Sequence, residues 1–529
     1  MKRHLVYIFT IVLLGCTFPP LPICWDVHVI PKWYGAMVAA IPCILFVMKC
    51  WQSIRDITAS EWIAILYVPS SICIYTQTLY AFYGYLSCTD KTMVCAVGTY
   101  DTPGGLAFTV CLLLPFIVEY LVNTRGEGCK LSLVNAWVTL VVALLLLVLS
   151  KSRTGVIVLS IELLVYAWRW APSKLIRMLF VGMLVLGSTF LALQTKQDST
   201  TGRNFILKRT IEIIADKPFI GYGGNVFEQV YMSHQQEFFS TNPDSSNAWL
   251  ADNIKHPLNE FFFLWVNYGS IPPLLLFVYF IFLIVYLSSR PMRLSIVVLF
   301  VFCMFSYPLH YPLSWVLIFC SLFLVLRNSV GSYKYCGWCV ILLIVSRGAL
   351  NLPFDILMSQ AKDYTIRGGH SHALISYKKL LDISEHISFS LISHHRRDNL
   401  LYNYAHELYI MGHLTEANRI IELFSQYNRN YDSELLCGDI YQALGLMECA
   451  VEHYQNAHYM CPVRFSPLYG LLQTYQQEGD IMAADSIAQK IVDKPVKVNS
   501  HKVERMKYEA LRWLNCRVDV SDNRIKSNL

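Results

Sequence analysis

Residues 131–150 read LSLVNAWVTLVVALLLLVLS, twenty positions without an acidic or basic side chain. An α-helix of about 20 apolar residues crosses the roughly 30 Å of hydrocarbon in a lipid bilayer. Similar runs recur from Met1 to about Leu350 and then stop, which predicts about eleven spans and an all-α, polytopic membrane protein. We place the spans at residues 5–24, 33–49, 60–86, 104–123, 131–150, 154–170, 175–195, 260–288, 294–309, 312–328 and 334–350.

The composition of the whole chain agrees with a membrane protein. Hydrophobic residues make up 55% of the 529 positions and charged residues only 15%, whereas a soluble globular chain is about a quarter charged. The net charge of +6 is small and dispersed, without the basic face that nucleic-acid-binding proteins carry. We therefore expect a membrane environment and no nucleic-acid partner.

Most of the 17 cysteines lie inside apolar runs, where a free thiol behaves as a small hydrophobic residue. Cys88 and Cys95 share a short polar segment that the topology below places outside the cytoplasm, where disulfides persist. The sequence leaves open whether they are bridged. The start at Lys2 and Arg3 resembles a cleaved signal peptide, but the ten further spans favour an uncleaved first span.

The orientation of the spans follows from the short loops in which lysine and arginine concentrate. Alternate loops are rich in these residues and are predicted to be cytoplasmic; they hold Lys2/Arg3, Lys49/Arg55, Arg125/Lys130, Arg169/Lys174/Arg177, Arg290/Arg293 and Arg327/Lys334. The other loops, with the long polar segment at 196–259 and everything after about residue 350, are predicted to lie outside. We thus expect a multi-pass protein whose C-terminal domain lies outside the cytoplasm, in the periplasm if the cell has an outer membrane.

A regular spacing of small residues marks the C-terminal part of the chain. Glycine recurs after 33 and then 34 residues, and an alanine follows each glycine five residues later, at Gly412/Ala417, Gly445/Ala450 and Gly479/Ala484. This pattern resembles tetratricopeptide repeats, in which a small residue lets paired helices pack closely. An ordinary helical bundle is the alternative. We predict a transmembrane domain at 1–350, a linker at 351–398 and an α-helical repeat domain at 399–529, which could hold a partner protein.

Three groups of polar residues on the predicted outer face are unusual for their setting. Arg153, in Ser152-Arg153-Thr154-Gly155, lies at the mouth of a span, where a charge needs water or a partner. Arg203, Lys208 and Arg209 lie on a helix predicted after Thr201, whose apolar face could rest on the bilayer. His256 lies where the chain re-enters the membrane, and histidine can accept a proton near neutral pH. The alternatives are an arginine that snorkels to the interface, a cationic helix on anionic lipid and a histidine that only hydrogen-bonds.

The order of these motifs resembles the O-antigen ligase and polymerase superfamily, which includes bacterial protein O-oligosaccharyltransferases. The resemblance covers about residues 90–330 and rests on Gly98-Thr99-Tyr100-Asp101-Thr102-Pro103, Ser152-Arg153-Thr154-Gly155, Arg203 with Asp216-Lys217-Pro218 and Gly221-Tyr222-Gly223-Gly224-Asn225, His256-x-x-Asn259, and His310-Tyr311-Pro312-Leu313. The chain departs from the family at Thr102, where the family has asparagine, and at His310, where it has an acidic residue. The second departure puts the role of His310 in doubt.

The resemblance implies a glycosyltransferase that moves a glycan from a polyprenyl diphosphate carrier to an acceptor hydroxyl, with inversion and without a cofactor or metal. By this resemblance Arg153 and Arg203 would stabilise the diphosphate leaving group, because guanidinium pairs with oxyanions. His256 would act as the base and Asn259 would orient it. Lys208, Arg209 and His310 would contribute to substrate binding.

The acceptor is left open among lipid A core, a growing polysaccharide and a serine or threonine of a secreted protein. An outer repeat domain favours a ligase or oligosaccharyltransferase over a polymerase, since it could present a protein acceptor. Two other classes compete with an enzyme: a lipid or sugar transporter, and a non-catalytic scaffold anchored by its spans. We see no matched pair of broken helices of the kind that transporters carry.

Overall fold

Every regular element that the structure describes is a helix. The computed structural model describes residues 1–22, 24–87, 96–124, 130–170, 173, 197–326, 333–387 and 393–527. The predicted span at 175–195 and the cysteines Cys88 and Cys95 lie outside these residues. Within the described ranges no β-strand occurs, in agreement with the predicted all-α class, because a helix satisfies its backbone polar groups internally in lipid.

The chain divides into two units, each of which is discontinuous in sequence. Unit 1 comprises residues 1–196, 258–261 and 271–359, and unit 2 comprises residues 197–257, 262–270 and 360–529. The segment predicted as a long outer loop therefore falls mostly in the same unit as the C-terminal part of the chain.

Unit 1 is built from apolar helices. They are α1 (Lys2–Cys16), α2 (Ile30–Lys49), the short α3 (Trp51–Arg55), α4 (Ala59–Ser87), α5 (Pro103–Asn123), α6 (Lys130–Ser150), α7 (Arg153–Trp170), α11 (Ile271–Tyr286), α12 (Arg290–Phe305), α13 (Pro312–Leu326) and most of α14 (Tyr333–Ile366). Residues 351–366, where the sequence predicts the start of a linker, continue α14.

Five helices among the described residues are long and apolar enough to cross a membrane, at Ile30–Lys49, Ser60–Ser87, Pro103–Asn123, Lys130–Ser150 and Trp338–Ile366. Helices α11 and α13 are apolar but shorter. Helix α1 has 15 residues and α12 has 16, short of the roughly 20 that a span perpendicular to the bilayer needs. The structure thus supports a helical membrane protein, and the count of eleven spans goes beyond it.

Helix α5 forms the centre of unit 1. The side chain of Thr102 accepts a hydrogen bond from the Gly105 amide at 3.4 Å and caps the helix. Every residue from Gly105 to Ile117 is buried, and helices α4, α6, α7 and α12 surround α5. A methyl group added at Gly155 of α7 would lie 2.9 Å from the Ala107 side chain of α5, so glycine sets the close approach of these two helices.

The predicted span at 260–288 is interrupted in the structure. Helix α10 (Glu260–Tyr268) ends before Gly269, and α11 begins at Ile271. Gly269 has a φ of +78°, and a methyl group there would lie 1.9 Å from the carbonyl oxygen of Phe219. Glycine is required because no other residue combines this φ with such a close backbone contact. The break assigns residues 262–270 to unit 2 and the chain from Ile271 to unit 1.

Unit 2 combines residues 197–257, which the sequence predicts as part of a long loop, with the C-terminal helices. Its elements are α8 (Gln197–Asp216), α9 (Phe227–Thr241), most of α10, α15 (His370–Ile387), α16 (His394–Ile410), α17 (Leu414–Tyr427), α18 (Tyr431–Ala443), α19 (Met447–Met460), α20 (Ser466–Glu478), α21 (Ile481–Asp493) and α22 (His501–Ser527). Helix α9 packs against α19, and one buried cluster contains Phe227, Tyr231 and Met232 together with Tyr431 and Met460. The loop and the C-terminal helices therefore share a hydrophobic core.

The recurring glycines and alanines of the C-terminal segment occupy equivalent environments. Gly412, Gly445 and Gly479 follow α16, α18 and α20 and have φ values of +76°, +76° and +77°. The alanines five residues later, at Ala417, Ala450 and Ala484, are each 0% exposed. These features suit helical hairpins that pack closely, while the assignment to tetratricopeptide repeats stays a prediction.

Candidate functional site

Among the described residues, three that are not glycine have a left-handed backbone. They are Lys151, Asn225 and Leu258, with φ values of 51°, 59° and 57°. This conformation costs an L-residue roughly 1–2 kcal/mol, and such strain concentrates at functional sites. Each of the three lies in or beside a different motif singled out in the sequence, before Arg153, at the end of the glycine-rich turn and after His256.

Arg153 is the first residue of α7. The left-handed Lys151 reverses the chain after α6, and the Ser152 hydroxyl accepts a hydrogen bond from the Gly155 amide at 3.3 Å. The Arg153 side chain is half-buried. A helix N-terminus favours negative charge because its amide groups point outward. Arg153 thus combines a cationic side chain with a helix N-terminus, and each of the two favours an anion.

The predicted cationic helix forms as α8, but its three cations have different surroundings. Lys208 is exposed, and Arg203 is half-buried. The guanidinium of Arg209 pairs with Glu212 at 2.7 Å and lies 4.3 Å from the ring centre of Phe238. Because Arg209 is already held by a carboxylate and an aromatic ring, its geometry favours a structural role. Phe205 is buried and contacts the Phe238 ring at 5.8 Å, so this part of the helix faces protein.

The glycine-rich turn after α8 is bound to the end of α10 within unit 2. The amides of Tyr222 and Gly223 donate to the carbonyl oxygens of Val266 and Asn267 at 2.8 and 2.9 Å. The Asn267 side-chain oxygen accepts from the amides of Val226 and Phe227 at 2.8 and 3.1 Å. Asn267 is fully buried. No motif in the sequence predicts a role for Asn267; its signal is a lone amide in the apolar stretch 261–268.

His256 is half-buried in unit 2. Its ring stacks on Phe263 of α10, with the ring centres 4.6 Å apart and the planes 16° from parallel. The next residues, Pro257 and the left-handed Leu258, turn the chain into unit 1. The aromatic contact packs one face of the imidazole against Phe263, and a positioned imidazole can take part in proton transfer.

Asn259 and Glu260, which follow this turn, are buried in unit 1. The Asn259 amide donates to the carbonyl oxygen of Met304 at 3.1 Å. A carboxylate oxygen of Glu260 accepts from the Leu309 amide at 3.0 Å. These bonds anchor the re-entry of the chain and give Asn259 a structural partner in unit 1.

His310 is exposed in the turn between α12 and α13 of unit 1. Its carbonyl oxygen accepts a hydrogen bond from the Trp33 indole at 3.2 Å. Its ring lies 5.7 Å from that of Tyr311 and 6.2 Å from that of Tyr307. The His310 side chain therefore belongs to a group of aromatic rings, with Tyr307 and Tyr311, between α12 and α13.

The predicted site residues divide between the two units. Unit 1 holds Arg153, Asn259 and His310, and unit 2 holds Arg203, Lys208, Arg209 and His256.

A family model described as "O-Antigen ligase" matches residues 138–272. The match covers about a quarter of the chain and includes Arg153, Arg203 and His256, as well as the three non-glycine residues with a left-handed backbone among those the structure describes. No curated protein matches the sequence. The match supports an enzyme of the O-antigen ligase superfamily, of ligase or polymerase type, that acts on a membrane-associated glycan.

Proposed function

We propose that this protein is a glycan ligase that transfers an oligosaccharide or polysaccharide from a polyprenyl diphosphate carrier to an acceptor hydroxyl on the outer face of the inner membrane. The observation that carries the proposal is the strained backbone at Lys151, Asn225 and Leu258. All three positions lie inside the matched segment: Lys151 is two residues from Arg153, Leu258 is two residues from His256, and Asn225 ends the glycine-rich turn. Strain of this kind persists where a site must hold a fixed geometry.

In the proposed reaction the acceptor oxygen attacks the anomeric carbon and the bond to the diphosphate oxygen breaks. The electron pair leaves with the diphosphate, so negative charge grows there as the bond lengthens. Arg153, at the N-terminus of α7, stabilises this charge. Arg203 of α8 is the second proposed cation.

His256 accepts the proton that the acceptor hydroxyl loses. Its stacking on Phe263 supports this role because the ring cannot turn freely. Attack from the side opposite the leaving group inverts the anomeric configuration. In this scheme no metal or other cofactor takes part, and Lys208 and His310 contact the substrate.

The acceptor class is proposed as lipid A core or a protein. A shared core of loop and C-terminal helices supports this choice over a polymerase, since the unit that carries His256 also carries a large helical surface for an acceptor. A polymerase of the same superfamily is the second candidate. The two differ in product: a ligase adds one glycan block per acceptor, whereas a polymerase yields a ladder of repeats.

The test uses the purified full-length protein with lipid-linked glycan extracted from a strain that lacks it. We expect wild-type protein to consume the donor and Arg153→Ala, Arg203→Ala and His256→Ala each to lose at least about a hundredfold in rate. Arg153→Lys should also be impaired, because the lysine ammonium group cannot form the paired, planar hydrogen bonds that a guanidinium forms with a phosphate group.

Matched controls are Arg367→Ala and His501→Ala, which alter exposed side chains of unit 2. Both should retain wild-type rates. Wild-type rates in His256→Ala would remove the proposed base, and a deletion strain that does not accumulate lipid-linked donor would refute the ligase.

A further inference from the structure

A charged side chain is fully buried at the end of unit 1 that contains His310. Lys32, near the start of α2, is 0% exposed. Its ammonium group donates to the carbonyl oxygens of His28 and Thr99, both at 2.6 Å, and lies 4.9 Å from the ring centre of Tyr100. Burying an ammonium group is costly unless it is well paired. The hydrogen bond from Lys32 to the Thr99 carbonyl oxygen therefore fixes the loop before α5, despite the free-energy cost of burying the charge.

A second buried side chain holds the same loop from another helix. Gln77 of α4 accepts from the Thr99 amide at 3.0 Å and donates to its hydroxyl at 3.2 Å. A methyl group added at Gly98, whose φ is +59°, would lie 2.4 Å from the Gln77 oxygen. Residues 98–100 are thus clamped on both sides.

Asp101 directly follows the clamped residues 98–100 and lies at the surface. Asp101 is exposed, and one of its carboxylate oxygens accepts a hydrogen bond from the Tyr311 hydroxyl at 2.5 Å. Burial, together with the neighbouring carboxylate, raises the pKa of Tyr311 well above its usual value, so the hydroxyl keeps its proton and donates. The second carboxylate oxygen accepts no hydrogen bond from the described residues. It is therefore an oriented acceptor that faces solvent.

Aromatic rings cluster around Tyr311, the hydrogen-bond partner of this carboxylate. Tyr100 packs edge-on against Tyr311 with ring centres 4.9 Å apart, and Tyr307 lies 6.4 Å from Tyr311. Tyr100 and Tyr311 are buried, and the exposed rings at this end of unit 1 include His310 of the turn and Trp315 of α13, whose indole donates to the Leu309 carbonyl oxygen at 2.8 Å. Aromatic side chains with one apolar face and a polar edge suit ligands that are themselves amphipathic.

The charge of Asp101 restricts what can bind. A diphosphate is excluded because two negative groups repel at short range. A divalent cation is also unsuitable, because calcium takes six to eight oxygen ligands and one carboxylate supplies few of them. Hydroxyl groups fit, since an ionised carboxylate is a pure acceptor with several lone-pair positions. A ligand with many hydroxyls and apolar C–H faces is a sugar.

We propose that Asp101, positioned by Tyr311, forms a glycan-binding subsite that accepts hydrogen bonds from sugar hydroxyls. Lys32 and Gln77 are positioning residues, since they hold the loop and are too buried to reach a ligand. The subsite and Arg153 bind different parts of the substrate. Asp101 binds the neutral sugar, whereas Arg153 binds the anionic diphosphate. The assignment rests on the proposed glycan transfer.

The test compares steady-state kinetics of Asp101→Asn and Tyr311→Phe with those of wild-type full-length protein. Loss of hydrogen bonds to a charged acceptor should raise KM for the glycan roughly ten- to a hundredfold while kcat changes little. This is the opposite of His256→Ala, in which kcat should fall. A rise in KM for the lipid-linked donor assigns the subsite to the donor glycan, and a rise in KM for the acceptor assigns it to an acceptor glycan.

Asp56→Asn and Tyr286→Phe are the matched controls, because both change exposed side chains elsewhere in unit 1. Wild-type KM values in both Asp101→Asn and Tyr311→Phe would overturn the proposal.

A direct binding measurement separates this inference from the proposed function. The probe is the free oligosaccharide released from its lipid carrier by mild acid, which lacks the diphosphate. It should quench the tryptophan fluorescence of wild-type protein at concentrations at least tenfold lower than those needed for Asp101→Asn. If wild-type protein binds this sugar but transfers nothing, the ligase fails and the subsite stands. If transfer occurs but both proteins bind the sugar alike, the subsite fails and the ligase stands.

Discussion

At the scale of single residues, backbone strain marks the candidate site among the parts of the chain that the structure describes. Lysine, asparagine and leucine adopt a left-handed φ at Lys151, Asn225 and Leu258, although glycine would do so without cost. Sequence patterns predicted the polar residues at these places, because charges at the ends of apolar runs are conspicuous. They did not predict the strain, since φ depends on packing from both sides of a turn.

Leu258 offers a test of this strain. Leu258→Val should lower the Tm of the detergent-solubilised protein and reduce transfer, because a β-branched residue tolerates a φ of 57° least. Leu258→Gly should keep the Tm near that of wild type, since relief of roughly 1–2 kcal/mol of strain offsets the entropy of glycine. Thermal unfolding followed by intrinsic fluorescence provides the measurement.

Leu163→Val, on the exposed side of α7, is the control and should leave both properties unchanged. If Leu258→Val had the Tm and transfer rate of wild type, the turn after His256 would not need its observed conformation.

At the scale of helices, the length of the apolar runs predicted most elements of unit 1, because an uninterrupted helix satisfies its own backbone hydrogen bonds in lipid. The break between α10 and α11 was not predicted. The apolar pattern continues through Gly269, and only the contact with the Phe219 carbonyl requires the chain to turn there. The apolar face that the sequence placed on the bilayer at α8 is partly buried instead, since Phe205 packs on Phe238.

Gly269→Ala should therefore be severely destabilising. The added methyl group would overlap the Phe219 carbonyl oxygen, and a φ of +78° disfavours alanine by a further 1–2 kcal/mol or so. We expect a Tm lower by several degrees and proteolytic cleavage between α8 and α9 that wild-type protein resists. Limited chymotrypsin digestion, which can cut after Phe219 and Tyr222, followed by mass spectrometry locates the cleavage.

Gly348→Ala in α14 is the matched control, because nothing lies within 4 Å of the added methyl group. It should keep or raise the Tm, as alanine favours helix more than glycine. Equal stability of the two variants would show that the break between α10 and α11 tolerates a side chain.

At the scale of the whole molecule, the main result is that residues 197–257 and the C-terminal helices form one unit. The sequence analysis predicted them as a loop and a separate domain. No local pattern could reveal their union, since it depends on contacts such as that of Gln235 with the Met460 carbonyl oxygen, across more than 200 residues.

The pH dependence of stability tests the link between these segments. Glu228 of α9 accepts hydrogen bonds from Asn428 and Asn430 at 3.2 and 3.0 Å, and burial raises its pKa. A raised pKa in the folded state means that the folded protein holds this proton more tightly than the unfolded chain. The contribution to stability is therefore present below the pKa of the unfolded chain and is lost as pH rises through the folded-state pKa.

Glu228→Gln does not titrate, so the Tm of this variant minus that of wild type should become more positive as the pH rises from 5 to 8. Glu237→Gln, on the exposed side of the same helix, is the control. If the Tm of Glu228→Gln minus that of wild type instead fell with rising pH, the ionised form of Glu228 would not be destabilising where α9 contacts the C-terminal helices.

The shared core of unit 2 also has a consequence for synthesis of the chain. Phe227, Tyr231 and Met232 leave the ribosome about 200 residues before Tyr431 and Met460, the partners that cover them. At roughly 5–20 residues per second, this apolar surface waits about 10–40 s. Until α18 and α19 are synthesised, the segment that carries Arg203 and His256 lacks part of the core that orders it, so a chain truncated before α18 would have an incomplete core. On the proposed function, transfer would therefore begin only after α19 has been synthesised.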